Sequence, residues 1–196
     1  MDALTQLVMQ QLTGSALSGV SKKIGVDQNT LQTALAVGVP LLVTALAKNA
    51  SKPAGAESLH KALVEDHDGS ILNNVQEYLQ KPEAAQGAAI LGHVLGNQQG
   101  AVTQGLAEKT GMNGDQIGKL LEIAAPLIMG ALGSQTQQNS LDPQGLASYL
   151  GGQQQQAQQA QPDILGSLNT LLDANKDGSA LDDVLGLAGK LLGGKK

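Results

Sequence analysis

The sequence predicts an all-α fold, and three observations support this. Aromatic residues make up 1% of the 196 residues, with two Tyr and no Phe or Trp. The core must therefore be aliphatic, which suits helix-on-helix packing better than a sheet. The 25 glycines indicate helices that are short, closely crossing or interrupted. The third observation is an internal repeat, so the expected architecture is a duplicated helix-pair bundle, followed by a Gln-rich linker and a C-terminal helical hairpin.

The repeat relates two stretches of the chain in one frame. Gly25 matches Gly111, and Pro40 matches Pro126 at the same offset. The aliphatic residues that keep this frame are Leu31, Leu35, Leu41, Leu42, Ala45 and Leu46, which match Ile117, Leu121, Leu127, Ile128, Ala131 and Leu132. One inserted residue later, Leu59 and Leu63 match Leu146 and Leu150. We expect residues 17–50 and 103–136 to superpose about a pseudo-two-fold axis.

Each copy has the boundary signals of a helix pair. A first amphipathic helix should end at Gly25 or Gly111, because glycine adopts the left-handed conformation without steric cost. Asp27 or Asn113 should then cap a second helix, which is apolar on nearly all sides and is predicted to be a buried central helix. The proline in that helix removes one hydrogen bond and should kink the helix or split it in two.

Between and after the copies, polar segments divide the chain. A turn is expected at residues 67–69 and a break at Lys81 and Pro82. The glutamine run from Gln153 to Gln161 is predicted to be a low-complexity linker. The predicted domains are a duplicated helical domain (1–151), the Gln-rich linker (152–161) and a helical hairpin with an acidic loop (162–196).

The repeated frame resembles a known family. The glycine, Asp or Asn, and Pro-Leu-Leu or Pro-Leu-Ile positions of both copies, the turn of residues 66–69, the segment 90–93 and the acidic loop near the C-terminus are similar to the bacterial domain-of-unknown-function family 937, which includes YidB-like proteins. The resemblance covers roughly residues 1–150. It implies an all-α fold and no established activity.

The acidic loop has the opening spacing of an EF-hand-like calcium loop. Asp173, Asn175 and Asp177 stand at loop positions 1, 3 and 5, Gly178 stands at position 6, and the carbonyl of Ser179 stands at position 7. Alternating oxygen ligands before a glycine wrap around a cation, and without a cation the neighbouring carboxylates repel each other. The pattern predicts a calcium site.

The loop departs from the EF-hand pattern at its end. Position 12 is Val184 where the pattern has a bidentate Glu, so Asp182 or Asp183 would have to complete the site. The alternative is a plain helix-turn-helix in which Gly178 ends one helix and Ser179 caps the next, with Asp182 in the capping box. That alternative does not explain the alternation of residues 173, 175 and 177.

Composition argues against several function classes. All 12 basic residues are Lys, they are scattered, and the net charge is −5, so the arginine forks and basic stripes of nucleic-acid binding are missing. The absence of Cys removes disulfides, thiolate zinc sites and cysteine nucleophiles. The sequence contains no P-loop, no G-x-S-x-G and no H-E-x-x-H motif. We therefore expect a protein that is not an enzyme and does not bind nucleic acid.

His60, His67 and His93 are the three histidines, and acidic residues surround His67. Acid–base or metal chemistry at the Asp66-His67-Asp68 turn is conceivable. Structural roles in turns and helix ends are the better interpretation, because the three histidines follow no ligand pattern.

The expected function is binding of a protein partner or self-association, with a C-terminal loop that responds to calcium. A calcium-dependent structural or sensor protein is the alternative, and a hydrolase using residues 66–68 is third. The N-terminus lacks the features of a secretory signal, and the longest apolar stretch, 34–47, is short for a membrane span, which predicts a cytoplasmic protein. Export by another route stays open, since a loop without its Glu should bind calcium only at extracellular concentrations.

Overall fold

The computed structural model describes residues 3–82, 86–160 and 162, and in these ranges every regular element is helical. The α-helices are α1 (Ala3–Gln11), α2 (Gly14–Ile24), α3 (Gln28–Ala50), α4 (Pro53–Glu65), α5 (Val75–Gln80), α6 (Gly87–Leu95), α7 (Gln99–Thr110), α8 (Gly114–Gln138) and α9 (Pro143–Ala160). Short 3-10 helices cover Ser70–Asn74 and Gly96–Gln98. The predicted all-α fold is confirmed.

Helices α3 and α8 form the centre of the bundle. They pack against each other, and each also contacts α1, α4 and α6. Leu41 and Leu42 in α3 are 1% and 2% exposed, and Leu127 and Ile128 in α8 are 0% and 1% exposed. The prediction that both proline-containing helices are buried at the centre is therefore confirmed.

The helix boundaries follow the capping signals. Gly25 and Gly111 end α2 and α7 in the left-handed conformation, with φ of 79° and 73°. The side chain of Asp27 accepts hydrogen bonds from the backbone N–H groups of residues 29 and 30 at the start of α3. Asn113 and Gln116 form a reciprocal capping box at the start of α8, each side chain accepting from the other's backbone N–H.

Neither proline splits its helix. Helix α3 continues through Pro40 and α8 continues through Pro126, so of the two expected outcomes the split does not occur, and a kink remains a prediction. Burial explains the tolerance, because packing on all sides holds the helix together where one backbone hydrogen bond is lost. The break expected at residues 81 and 82 is present, since α5 ends at Gln80.

The helix contacts are consistent with a repeat of four helices, α1–α4 and α6–α9. Helix α9 packs on α3 as α4 packs on α8, α7 contacts α3 as α2 contacts α8, and α1 contacts α8 as α6 contacts α3. Superposition of residues 17–50 on 103–136 remains a prediction. The turn and α5 follow α4, and the residues that follow α9 at the corresponding place in the second half lie, apart from Pro162, outside the described residues.

The Gln-rich segment differs from the predicted linker. Residues 152–160 continue α9, and this helix packs Leu146, Leu150, Gln153 and Ala157 against the bundle. The Gln153 Oε1 atom accepts hydrogen bonds from the backbone N–H groups of Ala3 and Leu4, at 2.9 and 3.5 Å. These first N–H groups of α1 have no acceptor within their own helix, so a buried glutamine supplies it. The predicted hairpin over 162–196 lies, apart from Pro162, outside the described residues.

Candidate binding groove

A groove of about 920 Å³ runs between α4 and α6. We call this site the groove. It is lined by residues of α3, α4, the turn after α4, α6 and α8, namely Leu46, Lys48, Asn49, Lys52, Gly55, Ser58, Leu59, Ala62, Asp66, His67, Asp68, Gly69, Ser70, Ile71, Gln86, Ala89, Ile90, His93, Val94, Pro126 and Met129. Its volume is within the range of ligand pockets.

The walls are two helix faces. The lining residues of α4 and its end are spaced three or four apart, at positions 55, 58, 59, 62 and 66. Those of α6 follow the same rule at 86, 89, 90, 93 and 94. Such spacing places side chains on one side of a helix, so each helix turns a single face to the groove. Leu46, Pro126 and Met129 line the groove from the central helices α3 and α8.

The two ends of the groove carry opposite charges. Lys52 immediately precedes α4, and Lys48 lies in the last turn of α3. Asp66 and Asp68 follow the other end of α4. Helix α4 has 13 residues, which corresponds to a length of about 20 Å at ~1.5 Å per residue. The groove is therefore elongated, with lysines at one end and carboxylates at the other.

Glycines on α8 hold the carboxylate end in place. The His67 carbonyl oxygen lies so close to Gly133 that an added Cβ atom there would collide with it. Gly130 makes the same kind of close approach to the Ile71 side chain. Gly69 adopts a φ of +95°, and an added Cβ would lie 2.9 Å from the Ser134 Cβ atom. Close backbone packing on α8, which only glycine permits, fixes the turn of residues 66–70.

The acidic turn is ordered by its own hydrogen bonds. The Asp68 Oδ1 atom accepts from the Ser70 backbone N–H at 2.9 Å. Hydrogen bonds from the backbone and side chain of Ser70 lower the pKa of Asp68, so this carboxylate stays charged. Burial lowers the pKa of His67, although the neighbouring Asp66 charge acts in the opposite direction. His67 therefore favours the neutral imidazole.

The three histidines do not converge. His60 donates from Nε2 to the Leu141 carbonyl oxygen at 2.8 Å, which ties α4 to the connection between α8 and α9. The Asn49 Nδ2 atom donates to the carbonyl oxygens of His93 and Val94 at 3.4 and 3.0 Å. His93 therefore stands at the lysine end of the groove, whereas His67 stands at the carboxylate end. In residues 3–82, 86–160 and 162, no group of three or more His, Asp or Glu is placed to hold a metal ion.

The predicted calcium ligands Asp173, Asn175, Asp177, Ser179, Asp182 and Asp183 all lie outside the described residues.

Outside the groove, several hydrophobic side chains of the described residues, such as Leu7, Met9 and Leu79, are partly buried against the core. Val64, at 51% exposed, is the one large hydrophobic side chain in this part of the chain that is more than half exposed. By length and composition, α3 and α8 could each cross a membrane, but 78% of the apolar window of each helix is buried inside the fold. Core helices of soluble proteins pass the same test, so this is weak evidence for a membrane span.

Comparison with known families gives one result. Residues 6–135 match a family described as bacterial proteins of unknown function, DUF937, and this match covers more than half of the chain. The chain belongs to this family. The resemblance seen in the repeated frame is therefore confirmed at the level of DUF937. Curated proteins and solved structures give no match.

Sequence reasoning identified parts of the groove of this DUF937 protein but not the groove itself. The family resemblance singles out the turn of residues 66–69 and the segment 90–93, and residues 66–69 together with Ile90 and His93 line the same groove. A usable signal was present in the spacing of Ser58, Leu59 and Ala62, where small and apolar residues share one face of α4. What the sequence could not supply was the arrangement of α4 and α6, which depends on close packing against α8.

Proposed function

We propose that this DUF937 protein is a non-catalytic interaction module whose groove binds an amphipathic segment of a protein partner. The observation that carries the proposal is the elongated groove between two helices, which is lined by both apolar and polar side chains and has oppositely charged ends. Helix-in-groove recognition uses this geometry, because the apolar face of the bound segment fills the space between two helices.

The charges at the two ends of the groove determine which charged residues the bound segment should carry at each end. Acidic residues should lie at the end marked by Lys48 and Lys52, and basic residues at the end marked by Asp66 and Asp68. Such rim charges contribute mainly to orientation and to the rate of association. The apolar lining from Leu59, Ile90 and Val94 supplies the burial. Self-association through a broad apolar face is less well supported, since Val64 is the one large hydrophobic side chain of the described residues that is more than half exposed.

The hydrolase alternative has one feature in its favour and one against it. Asp66 and a half-buried His67 with a lowered pKa lie on the same groove, as an acid–base pair would require. However, the nearby Asp68 carboxylate and Ser70 are hydrogen-bonded to each other as part of the turn. The proposal is therefore a binding function. Hydrolysis of model esters or peptides that is lost in His67→Ala would contradict it.

The test of partner binding compares variants on one helix. The full chain is tagged and captured from its native host as wild type, Lys52→Glu and Leu59→Asp, in which the changes lie in the groove. The control variants Lys61→Glu and Val64→Asp introduce the same charges at positions of α4 that do not line the groove. We expect a protein that is retained by wild type and both controls and depleted several-fold by both groove variants. Equal recovery with all five chains would contradict the proposal.

Calcium binding by the C-terminal loop is a second part of the proposal, and a calcium-dependent structural or sensor role is its alternative form. Calorimetric titration should show saturable calcium binding to the wild-type chain, weaker than that of a complete EF-hand because position 12 is Val184. Asp173→Ala with Asp177→Ala should abolish it, since both changes remove ligand oxygens. Magnesium serves as the ion control, and no binding up to millimolar calcium would leave only a capped turn.

Residence in the cytoplasm remains part of the proposal, as does membership of the YidB-like branch of the family. A weak calcium site would favour an extracellular location, so fractionation of the native host together with the calorimetric affinity tests the proposed location.

A further inference from the structure

One wall of the groove has a counterpart in the second half of the chain, where the matching side chains are larger. The leucine match between α4 and α9, continued along both helices, pairs Ala62 with Tyr149 and Asp66 with Gln153. Ala62 and Asp66 both line the groove. Where α4 presents a methyl group and a short carboxylate, α9 therefore carries a phenol ring and a longer amide.

The other wall of the groove has a counterpart as well. The frame set by the repeated glycines pairs Ala89 and Ile90 of α6 with Ala3 and Leu4 of α1. Ala89 and Ile90 line the groove. The backbone N–H groups of Ala3 and Leu4 are those that donate to the buried Gln153 side chain. In the repeated frame, the groove between α4 and α6 thus corresponds to a direct contact between α9 and α1.

Tyr149 belongs to the same face of α9 as this contact. It lies one helical turn before Gln153, and residues four apart share a helix face. Its side chain is partly buried and packs against the core. Ala62 has no ring to place in the equivalent position, so the first half keeps an open space there.

We propose that the groove takes an aromatic side chain of the partner segment, in the place that corresponds to the Tyr149 ring of the second half. This inference rests on the proposed function, because it uses the same site. It deepens that function by naming the anchor residue of the bound segment, a Phe or Tyr that seats beside Ala62.

The chain cannot supply this ring itself. Its two tyrosines are its only residues of the Phe, Trp and Tyr class. Tyr78 is 9% exposed and donates from its hydroxyl group to the Ile123 carbonyl oxygen at 2.8 Å. Tyr149 packs against the core of its own half. Either ring would have to leave its packing to enter a groove of the same or of a second copy, so the anchor comes from a different protein.

The apolar part of the lining suits a flat ring. Leu59, Ile90 and Val94 offer aliphatic surface, and Met129 adds a thioether, which packs favourably against aromatic rings. Aromatic side chains bury a large area in one rigid group and are frequent anchors of protein interfaces. The charges at the two ends of the groove then orient the segment around this anchor.

The first experiment uses p-cresol, the side chain of tyrosine, as the probe. Because the chain has 4 Met, methyl labelling gives a sparse NMR spectrum in which Met129 reports on the groove and Met112 lies elsewhere. We expect p-cresol to shift the Met129 signal saturably and to leave the Met112 signal in place. Methylcyclohexanol, the saturated form of the same molecule, should need a several-fold higher concentration. Equal concentrations for the two compounds, or no saturable shift, would overturn the proposal.

The second experiment fills the groove with the residue of the second half. Ala62→Tyr should abolish the p-cresol shift of Met129, whereas Ala54→Tyr should retain it, since Ala54 is exposed on the same helix and does not line the groove. The urea midpoint of Ala62→Tyr should be no lower than that of Ala54→Tyr, because the ring enters existing space. A much lower midpoint for Ala62→Tyr would show that a ring does not fit, and the proposal would be wrong.

The reciprocal variant tests the correspondence between the two halves. Tyr149→Ala should lower the urea midpoint, because it removes a ring that packs against the core. It should also create a second site for p-cresol, so the probe should raise the midpoint of this variant more than that of wild type. An equal rise in both chains would remove the basis of the inference.

The two proposals can fail separately. If p-cresol leaves Met129 unaffected and Ala62→Tyr still captures the partner that Lys52→Glu loses, the aromatic anchor is wrong and the interaction function stands. If p-cresol binds and Ala62→Tyr blocks it, but capture is insensitive to every groove variant, the ring site stands and the partner function is wrong.

Discussion

Replacing Leu42 or Ile128 by Ala should lower the free energy of unfolding by about 2–5 kcal/mol each. Both side chains lie at the centre of the bundle, in α3 and α8, and are 2% and 1% exposed. The loss combines the transfer free energy of the deleted methyl and methylene groups with the cavity that remains, because a close-packed core relaxes only partly. Since α3 and α8 each contact most of the other helices, one cavity there weakens several packing contacts.

Urea unfolding followed by circular dichroism measures this effect. The midpoint should fall while the slope with denaturant is unchanged, as expected when stability changes without a change in the unfolded state. Val64→Ala is the control, since Val64 is 51% exposed and its truncation should change stability by less than about 0.5 kcal/mol. Equal midpoints for Leu42→Ala and Val64→Ala would contradict the central placement of α3.

Local signals in the sequence are sufficient to predict most of the helix boundaries and the burial of the two central helices. Gly25 and Gly111 mark helix ends because their conformation is set within a few residues, and Asp27 and Asn113 cap the next helix by contacts over two or three residues. The burial of α3 and α8 could be predicted because a helix that is apolar on all sides has no stable place on a surface.

The errors concern segments whose environment is set by distant parts of the chain. Composition predicts a linker for the glutamine run, yet Gln153 is held by the first N–H groups of α1, about 150 residues away in sequence. The groove was not predicted because its shape depends on glycine contacts between α8 and the turn after α4. Composition and periodicity describe single helices and do not specify which backbone surfaces approach each other.

Gly133→Ala should destabilise the protein by about 1–3 kcal/mol, because extra atoms in a packed interface force the neighbouring groups apart. The added Cβ would collide with the His67 carbonyl oxygen, which belongs to the backbone and cannot rotate away. The turn of residues 66–70 would have to move off α8, and with it the carboxylate end of the groove. The same variant should therefore shift the NMR signal of the Met129 methyl group, since Met129 lines the groove one turn earlier on α8.

Gly118→Ala in the same helix is the matched control. An added Cβ at Gly118 meets no atom within 4 Å. Alanine favours a helix over glycine by about 0.5–1 kcal/mol, so this variant should be more stable than wild type. The two identical substitutions in α8 should therefore change the free energy of unfolding in opposite directions, and the Met129 signal should move only in Gly133→Ala. If Gly133→Ala stabilises the chain as Gly118→Ala does, then the turn does not pack directly on α8, and the groove loses the contact that fixes its carboxylate end.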